Sequence, residues 1–329
     1  MIAPFFISFA LAIVISKLII HLLGGRLLDI PNHRSSHTTP TPRGGGIAIV
    51  AGTSGAVFFT YLSGQTPGEI LLFLVPGVIM AIIGVLDDFI DLNIRIRLSC
   101  QLITATLITG TILSYTNHSP LITLLLGISS IIGIVWLTNL YNFMDGINGL
   151  AGLQTIFICA SINLLFYLQD THTEVMLVMA LLGFASLGFL YWNFPTAKLF
   201  MGDAGSLFIG ITLATLMVWT GRENLATSCS WLILMAAFVA DATYTLLVRA
   251  ISGQKFYLPH RSHFYQKLAA QRKSHTQATL FIMSFNVCWL LPLAIAVQLG
   301  SLNEFLGLCL AYIPAIYCAY SIKAGKTEQ

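Results

Sequence analysis

The groups in this sequence best suited to chemistry are its carboxylates. The run Gly84-Val85-Leu86-Asp87-Asp88-Phe89-Ile90-Asp91 closes a hydrophobic stretch with three of them. Adjacent carboxylates at the mouth of an apolar run repel each other and are costly to desolvate, so they persist where a cation neutralises them. Magnesium fits that need, because it takes oxygen ligands and bridges phosphates with only one or two protein carboxylates. The segment Phe200-Met201-Gly202-Asp203-Ala204-Gly205-Ser206 supplies another carboxylate between glycines, just ahead of a further apolar run. Glycine lets a ligand approach the backbone, and a following helix N-terminus offers N–H groups to phosphate. Asp203 is therefore a candidate metal ligand beside a diphosphate. The bland alternatives are a solvated acidic loop at Asp87–Asp91 and an ordinary glycine–aspartate turn at Asp203.

Polar residues recur at three-residue spacing in Asn139-Leu140-Tyr141-Asn142-Phe143-Met144-Asp145-Gly146-Ile147-Asn148-Gly149. Asn139, Asn142 and Asp145 would share one side of a helical turn, where amides can bind sugar, base or phosphate and a carboxylate can orient them. N-capping of the next helix by Asp145 or Asn148 is the competing use. His260-Arg261-Ser262-His263 follows Pro259 in a basic stretch with Arg249, Lys255 and Lys267. Two histidines and an arginine suit a held diphosphate and a leaving nucleotide. A basic loop flanking the membrane would explain the lysines and arginines but not the histidines. The stretch from Asp29 through His33, Arg34 and His37 to Pro42-Arg43-Gly44-Gly45-Gly46 ends in glycines that could close over phosphates, with Arg43 as a donor, and serves equally well as a stiff connector. Lys198, just ahead of the Asp203 segment, is a further candidate contact for an anionic substrate.

The elements that must position these groups are membrane helices. Hydrophobic residues make up 56% of the chain and charged ones 9%, with a mean hydropathy of +0.83. A soluble domain carries roughly a quarter of its residues charged. A span takes roughly 20 mostly apolar residues, which predicts about eleven of them. They fall near 3–23, 44–63, 69–86, 98–115, 119–138, 147–168, 174–192, 205–221, 228–248, 277–297 and 303–322. Backbone groups in lipid must pair internally, so the predicted fold is an all-α integral membrane protein, a single polytopic domain over 1–329. The first run lacks a basic leader and is too long for a signal core, so it reads as a retained span. The six cysteines lie in apolar runs without a CxxC pair and read as small buried residues, and a net charge of +3 gives no reason to expect nucleic acid.

Lysine and arginine set the orientation. With the N-terminus periplasmic and the C-terminus cytoplasmic, the inside loops take Arg43, Arg95, Arg97, Lys198, Arg249 and Arg261 among many others, and the outside loops take only Arg222. The same inside loops hold Asp87, Asp88, Asn142, Asp145, Asp203, His260 and His263, so the polar equipment gathers on the cytoplasmic face, as an enzyme with a soluble cytoplasmic substrate requires. A transporter would instead place ionisable groups near the midplane, commonly in related halves. Here only Lys17 and Asp241 interrupt the spans, both nearer the inside end. The Asp87-Asp88-x-x-Asp91 pattern also fits a membrane aromatic prenyltransferase, which calls for a second acidic cluster that the single carboxylate near Asp203 does not supply.

Taken in order, Asp29–Gly46, Asp87-Asp88, Asn142–Gly152, Asn193–Gly210 and His260–His263 resemble the polyprenyl-phosphate N-acetylhexosamine-1-phosphate transferases, glycosyltransferase family 4. The resemblance implies a multi-span enzyme of the bacterial inner membrane that passes a sugar 1-phosphate from a UDP-N-acetylhexosamine to undecaprenyl phosphate within the lipid bilayer. It implies magnesium (with manganese as a substitute) on Asp203, Asp87 and Asp88 as the acidic pair near the acceptor phosphate, Asn142 and Asp145 in the nucleotide-sugar segment, and His260 and His263 as the histidine motif. A homodimer is the candidate assembly. Asn148 stands where related branches carry aspartate. The form Pro259-His260-Arg261-Ser262-His263-Phe264-Tyr265-Gln266, with Trp192-Asn193-Phe194-Pro195 upstream, is similar to the O-antigen-initiating branch, which implies a deoxyhexosamine donor such as N-acetylfucosamine or N-acetylquinovosamine.

Overall fold

The computed structural model describes residues 2–25, 27–31, 39–66, 68–222, 224–258 and 260–326. The expectations that fall on residues 32–38, with His33, Arg34 and His37, and on Pro259 lie outside them. Leu28–Asp29 (β1) and Thr41–Pro42 (β2) form a two-residue antiparallel pair, and all other regular structure among the described residues is helical. In chain order the helices are α1 (Ala3–Leu23), α2 (Gly46–Leu62), α3 (Val75–Ile90), α4 (Ile94–Leu113), α5 (Pro120–Phe143), α6 (Leu150–Gln169), α7 (Thr173–Asn193), α8 (Gly202–Gly221), α9 (Leu225–Leu234), α10 (Ala236–Ile251), α11 (Phe264–Arg272), α12 (His275–Phe285), α13 (Leu291–Gln298) and α14 (Glu304–Ser321).

All eleven predicted apolar segments are helical, and nine stretches among the described residues are long and apolar enough to cross a bilayer. The other two differ from plain spans. Segment 44–63 forms α2, which has only 17 residues. Segment 228–248 is broken at Met235, where α9 and α10 meet at 71°. The chain is an all-α integral membrane protein. Local signals explain where its helices start. Prolines stand in the first turns of α1, α3 and α5, where a missing N–H costs nothing. Asn93, Asn224, Ser274 and Asn303 cap α4, α9, α12 and α14 through their side chains.

The bundle is built around α8, which is buried along most of its length and packs against α2, α3 and α5. Lipid takes the place of water on the outside, so α4 and α5 expose Ile103, Leu107, Leu121, Leu124 and Leu125. With no hydrophobic drive between helices in lipid, close packing depends on small residues. Glycines occupy the crossings. A Cβ on Gly84 of α3 would fall 2.5 Å from the Asp203 carbonyl. One on Gly210 of α8 would fall 2.9 Å from the Thr138 backbone of α5, and one on Gly46 of α2 would fall 2.1 Å from the Gly205 nitrogen. The crossings at Gly84 and Gly46 bring one end of α3 and of α2 onto the start of α8, and the one at Gly210 packs α5 nearer its middle.

Gly46→Ala should therefore lower the melting temperature of the purified protein, at a cost of about 1–3 kcal/mol, because backbone and not a flexible side chain meets the new methyl. Gly110→Ala in α4, which meets nothing within 4 Å, should leave it unchanged or slightly raised. Equal losses in a thermal melt of the two variants would contradict this account of the crossing.

Candidate active site

The site grows from the contact of α3 with the first turn of α8. Gly202 takes a left-handed conformation (φ +73°), and a side chain there would press on the Asp88 carboxylate, 2.8 Å from its Oδ2. With Gly202 clear, the amides of Asp203 and Ala204 point at Asp88 Oδ1 and Oδ2, each at 3.4 Å. A carboxylate at a helix N-terminus is stabilised by the free N–H groups and the helix dipole. The amides expected to face a phosphate are thus taken by Asp88.

Asp87 points to the other side. Its Oδ1 accepts from the Leu92 amide at 2.7 Å, which closes the turn after α3, where Asp91 sits at φ +47°. That turn reverses the chain into α4 and returns Arg97 toward α3. Arg97 Nη1 lies 2.6 Å from Asp87 Oδ2 and 3.3 Å from Asp203 Oδ2. A single guanidinium thus holds together two groups of like charge. From α5, Asn142 Nδ2 donates to Asp203 Oδ1 at 2.7 Å and to Ser206 Oγ at 2.9 Å.

Arg43 arrives by backbone pairing. The β1–β2 ribbon and a bond from the Arg43 amide to the Leu27 carbonyl (2.9 Å) fix the chain before it, and the amides of Gly45 and Gly46 donate to the carbonyls of Phe200 and Met201 at 2.8 and 2.7 Å. Those glycine amides are committed and do not form a phosphate cradle. They instead hold Arg43 beside Asp88, with Nη2 2.5 Å from its carbonyl oxygen. Arg43 Nε is buried without a hydrogen bond, 3.9 Å from Asp88 Oδ1.

The histidines close the far wall. His260 and His263 stack at 4.8 Å between ring centroids, and His263 also stacks on Phe143 at 6.4 Å. Burial, then the neighbouring His263 and Arg249 charges, push His260 down to about 3, so it is neutral at neutral pH. Arg43, Asp87, Asp88, Arg97, Asn142, Asp203 and both histidines line one pocket of about 390 Å³. Its remaining wall includes apolar side chains, Leu246, Phe256 and Leu258 among them.

Four other candidates lie elsewhere. Asp145 comes after the end of α5, so the three-residue spacing runs along a helix only from Asn139 to Asn142. Asp145 does not line the pocket, and burial together with the Asp88 charge pushes it up to about 7. Asn139 turns to α4, where its Nδ2 donates to Gln101 Oε1 at 2.6 Å. Lys198 lies over the Trp192 ring at 5.8 Å, and Arg261 is exposed outside the pocket. Neither Asp145 nor Asn148 caps α6; Asn148 ties to the Pro195 carbonyl at 3.2 Å. The pocket's principal addition to the sequence reading is Arg97, which that reading counted only as an inside charge.

Among the described residues no three His, Cys, Asp or Glu side chains form a metal site of their own. A cation held by Asp203 and Asp87 would therefore complete its shell with substrate oxygens and water, which is the habit of magnesium. Two carboxyls sharing one guanidinium fit such an ion.

Residues 70–221 match the family model described as glycosyl transferase family 4. That stretch contains Asp87, Asp88, Arg97, Asn142 and Asp203 but neither Arg43 nor the histidines. The chain is 28% identical over 305 residues to a probable undecaprenyl-phosphate N-acetylglucosaminyl 1-phosphate transferase of Bacillus subtilis (strain 168), covering 88% of this chain and 82% of that one. It is 30% identical over 310 residues to a decaprenyl-phosphate N-acetylglucosaminephosphotransferase of Mycobacterium tuberculosis (strain ATCC 25618 / H37Rv), covering 80% and 74%. A phospho-N-acetylmuramoyl-pentapeptide-transferase of Streptococcus pneumoniae serotype 19F (strain G54) is 28% identical over 209 residues, covering 59% and 64%.

Two outcomes follow from this electrostatic arrangement. Arg97→Gln should lower the melting temperature in chelator by an amount corresponding to about 2–3 kcal/mol, somewhat less than for a fully buried pair because the guanidinium is partly exposed. Millimolar magnesium should recover more stability in the variant than in the parent, and a melt insensitive to both changes would count against the bridge. The His260 ring should not titrate by NMR between pH 5 and 8. The unfolded chain binds a proton there below about 6.5, whereas the folded one does so only near about 3. This group therefore costs stability as pH falls through that window, and His260→Gln should lessen the loss.

Proposed function

The chain belongs to the polyprenyl-phosphate N-acetylhexosamine-1-phosphate transferases of glycosyl transferase family 4, and from that premise we propose that it transfers an N-acetylhexosamine 1-phosphate from a UDP-sugar to undecaprenyl phosphate and releases UMP. It is a sugar-phosphate transferase of the membrane, and its family replaces the prenyltransferase and transporter readings of the acidic motif. The observation that carries the finer proposal is the pairing of Asp87 with Asp203 across Arg97, beside Arg43 and two histidines, in a pocket with an apolar wall. Such a pocket suits a reaction between two phosphate-bearing partners, one of them a lipid.

In the proposed reaction an oxygen of the acceptor phosphate attacks the β-phosphorus of the donor. The new O–P bond forms as the bond from that phosphorus to the oxygen leaving with UMP breaks. Phosphoryl transfer of this kind depends mainly on positioning and neutralisation of charge. Asp203 and Asp87 are the residues that would hold magnesium, or manganese in its place, which when bound neutralises charge on the diphosphate. Arg43, which lines the pocket beside Asp88, is suited to the acceptor phosphate, and Arg97, once displaced from the carboxylates, to the diphosphate. Asp88 is tied to backbone amides and acts as a positioning group. With Asp87 assigned to the cation, no separate base is assigned: the acceptor phosphate, with a second pKa of about 6, reacts largely as its dianion at neutral pH.

The excess of lysine and arginine at the pocket end of the bundle supports a cytoplasmic site, with the N-terminus periplasmic. The relatives' names support an N-acetylhexosamine donor. The form of the histidine motif supports the branch that starts O-antigen from an N-acetylated deoxyhexosamine.

The test is UMP release by the purified protein with magnesium, undecaprenyl phosphate and UDP-linked N-acetylglucosamine, N-acetylfucosamine and N-acetylquinovosamine in turn. UMP should appear with one donor class and only with lipid present, and Asp203→Asn should reduce kcat by about 100-fold or more. Folded protein giving no UMP with any donor, or an Asp203→Asn variant as fast as the parent, would overturn the proposal.

A further inference from the structure

Asp241 is a carboxylate inside α10 that the reaction scheme above leaves unused. It is 3% exposed, and an ionisable group so placed within a membrane bundle is expensive unless it is well partnered. Two of its three hydrogen-bond partners are backbone amides of another helix. Oδ1 accepts from the Phe264 amide at 2.7 Å and from the Thr245 hydroxyl at 3.1 Å, and Oδ2 accepts from the Tyr265 amide at 3.0 Å. These amides are the first two of α11, so a side chain from one helix caps another at the residue following His263.

The first turn of α11 is pinned on a second side. The fully buried Tyr265 donates its hydroxyl to the Phe143 carbonyl at 3.0 Å, and a side chain at Gly146 would collide with that hydroxyl. Phe143 directly follows Asn142, the residue bonded to Asp203. The His263 ring is thus confined between His260 and Phe143, with Nδ1 3.5 Å from Asp241 Oδ1, while the capping box of α11 turns the same side chain toward the Gln266 amide. That distance is long for a hydrogen bond, as catalytic contacts often are before substrate arrives.

We propose that Asp241 is the positioning residue of the histidine wall: it anchors the start of α11 and holds His263 with the proton on Nδ1, leaving Nε2 for the pocket. Nδ1 has two candidate partners, the Gln266 amide, which would donate to it, and the Asp241 carboxylate, which only accepts; the carboxylate is the stronger partner, so Nδ1 donates and Nε2 keeps its lone pair. In that tautomer His263 accepts a hydrogen bond or a proton from a phosphate hydroxyl in the pocket. The consequence for turnover rests on the transferase reading above; the tautomer and the anchoring do not.

The experiment uses full-length protein in lipid nanodiscs with ring-¹⁵N-labelled histidine, the His263 signal being assigned from a His263→Ala sample. Wild-type His263 should carry its proton on Nδ1, and Asp241→Asn should shift it toward a mixture of tautomers. In the UMP assay Asp241→Asn should lower kcat about 100-fold, with KM for the donor changed less than about threefold, and it should cost little more in a His263→Ala background. A wild-type ring protonated on Nε2 would overturn the proposal even if Asp241→Asn failed to fold. So would losses that multiply in the double variant, since Asp241 would then not act through His263. Absence of turnover in the wild type, with the expected tautomer, would fault the transferase reading alone.

Discussion

The site depends on the carboxylate of Asp88 lying against the first amides of α8. Free N–H groups at a helix start inside a membrane protein need an acceptor, and Asp88 supplies it from the end of α3. The contact requires the two backbones to meet, which Gly84 and Gly202 permit. It also fixes the neighbour of Asp88 in the sequence: with Asp88 turned toward α8, Asp87 faces the turn into α4 and comes beside Asp203. The pairing of carboxylates from residues 87 and 203 is thus the geometrical by-product of a helix cap.

The charges divide into a fixed set and an exchangeable set. Asp88 is held by two backbone amides, and Asp241 by two amides and a hydroxyl, so their positions belong to the fold. Asp87 and Asp203 face each other across Arg97, whose long side chain can move away when a stronger cation or a phosphate takes its place. His260, kept neutral by burial and by nearby positive charge, adds polar contact without adding to the positive potential. The pocket therefore combines a rigid frame with a small group of charges that can be rearranged.

Much of this was legible in the sequence, because the signals were local. Runs of apolar residues located every helix but α11, which lies between two of them, and carboxylates abutting such runs marked Asp87, Asp88 and Asp203. The histidines stood out as residues that a basic loop does not need. The misplacements came from information that only packing holds. Asn139 and Asn142 share a helical face, yet one meets Gln101 and the other Asp203, because α4 and α8 approach α5 at different heights. Lys198 had an aromatic ring closer to hand than any substrate. Arg97 was hidden among arginines that orientation alone explained, and only the turn after Asp91 reveals that it folds back onto Asp87. Asp241 looked like an exception within a span, since its partner helix begins more than twenty residues later.

The shortness of α2 bears on how a lipid reaches the site. Seventeen residues make a helix about 25 Å long, against a hydrocarbon core of about 30 Å. Its first residue, Gly46, touches Gly205, two residues from Asp203. Hydrophobic mismatch of this sign is relieved by local thinning of the bilayer. The leaflet next to Arg43 would then be dimpled, with its headgroup plane drawn toward the carboxylates. A long-chain lipid drifting into that depression would bring its phosphate to the depth of the pocket while its tail stayed in hydrocarbon throughout.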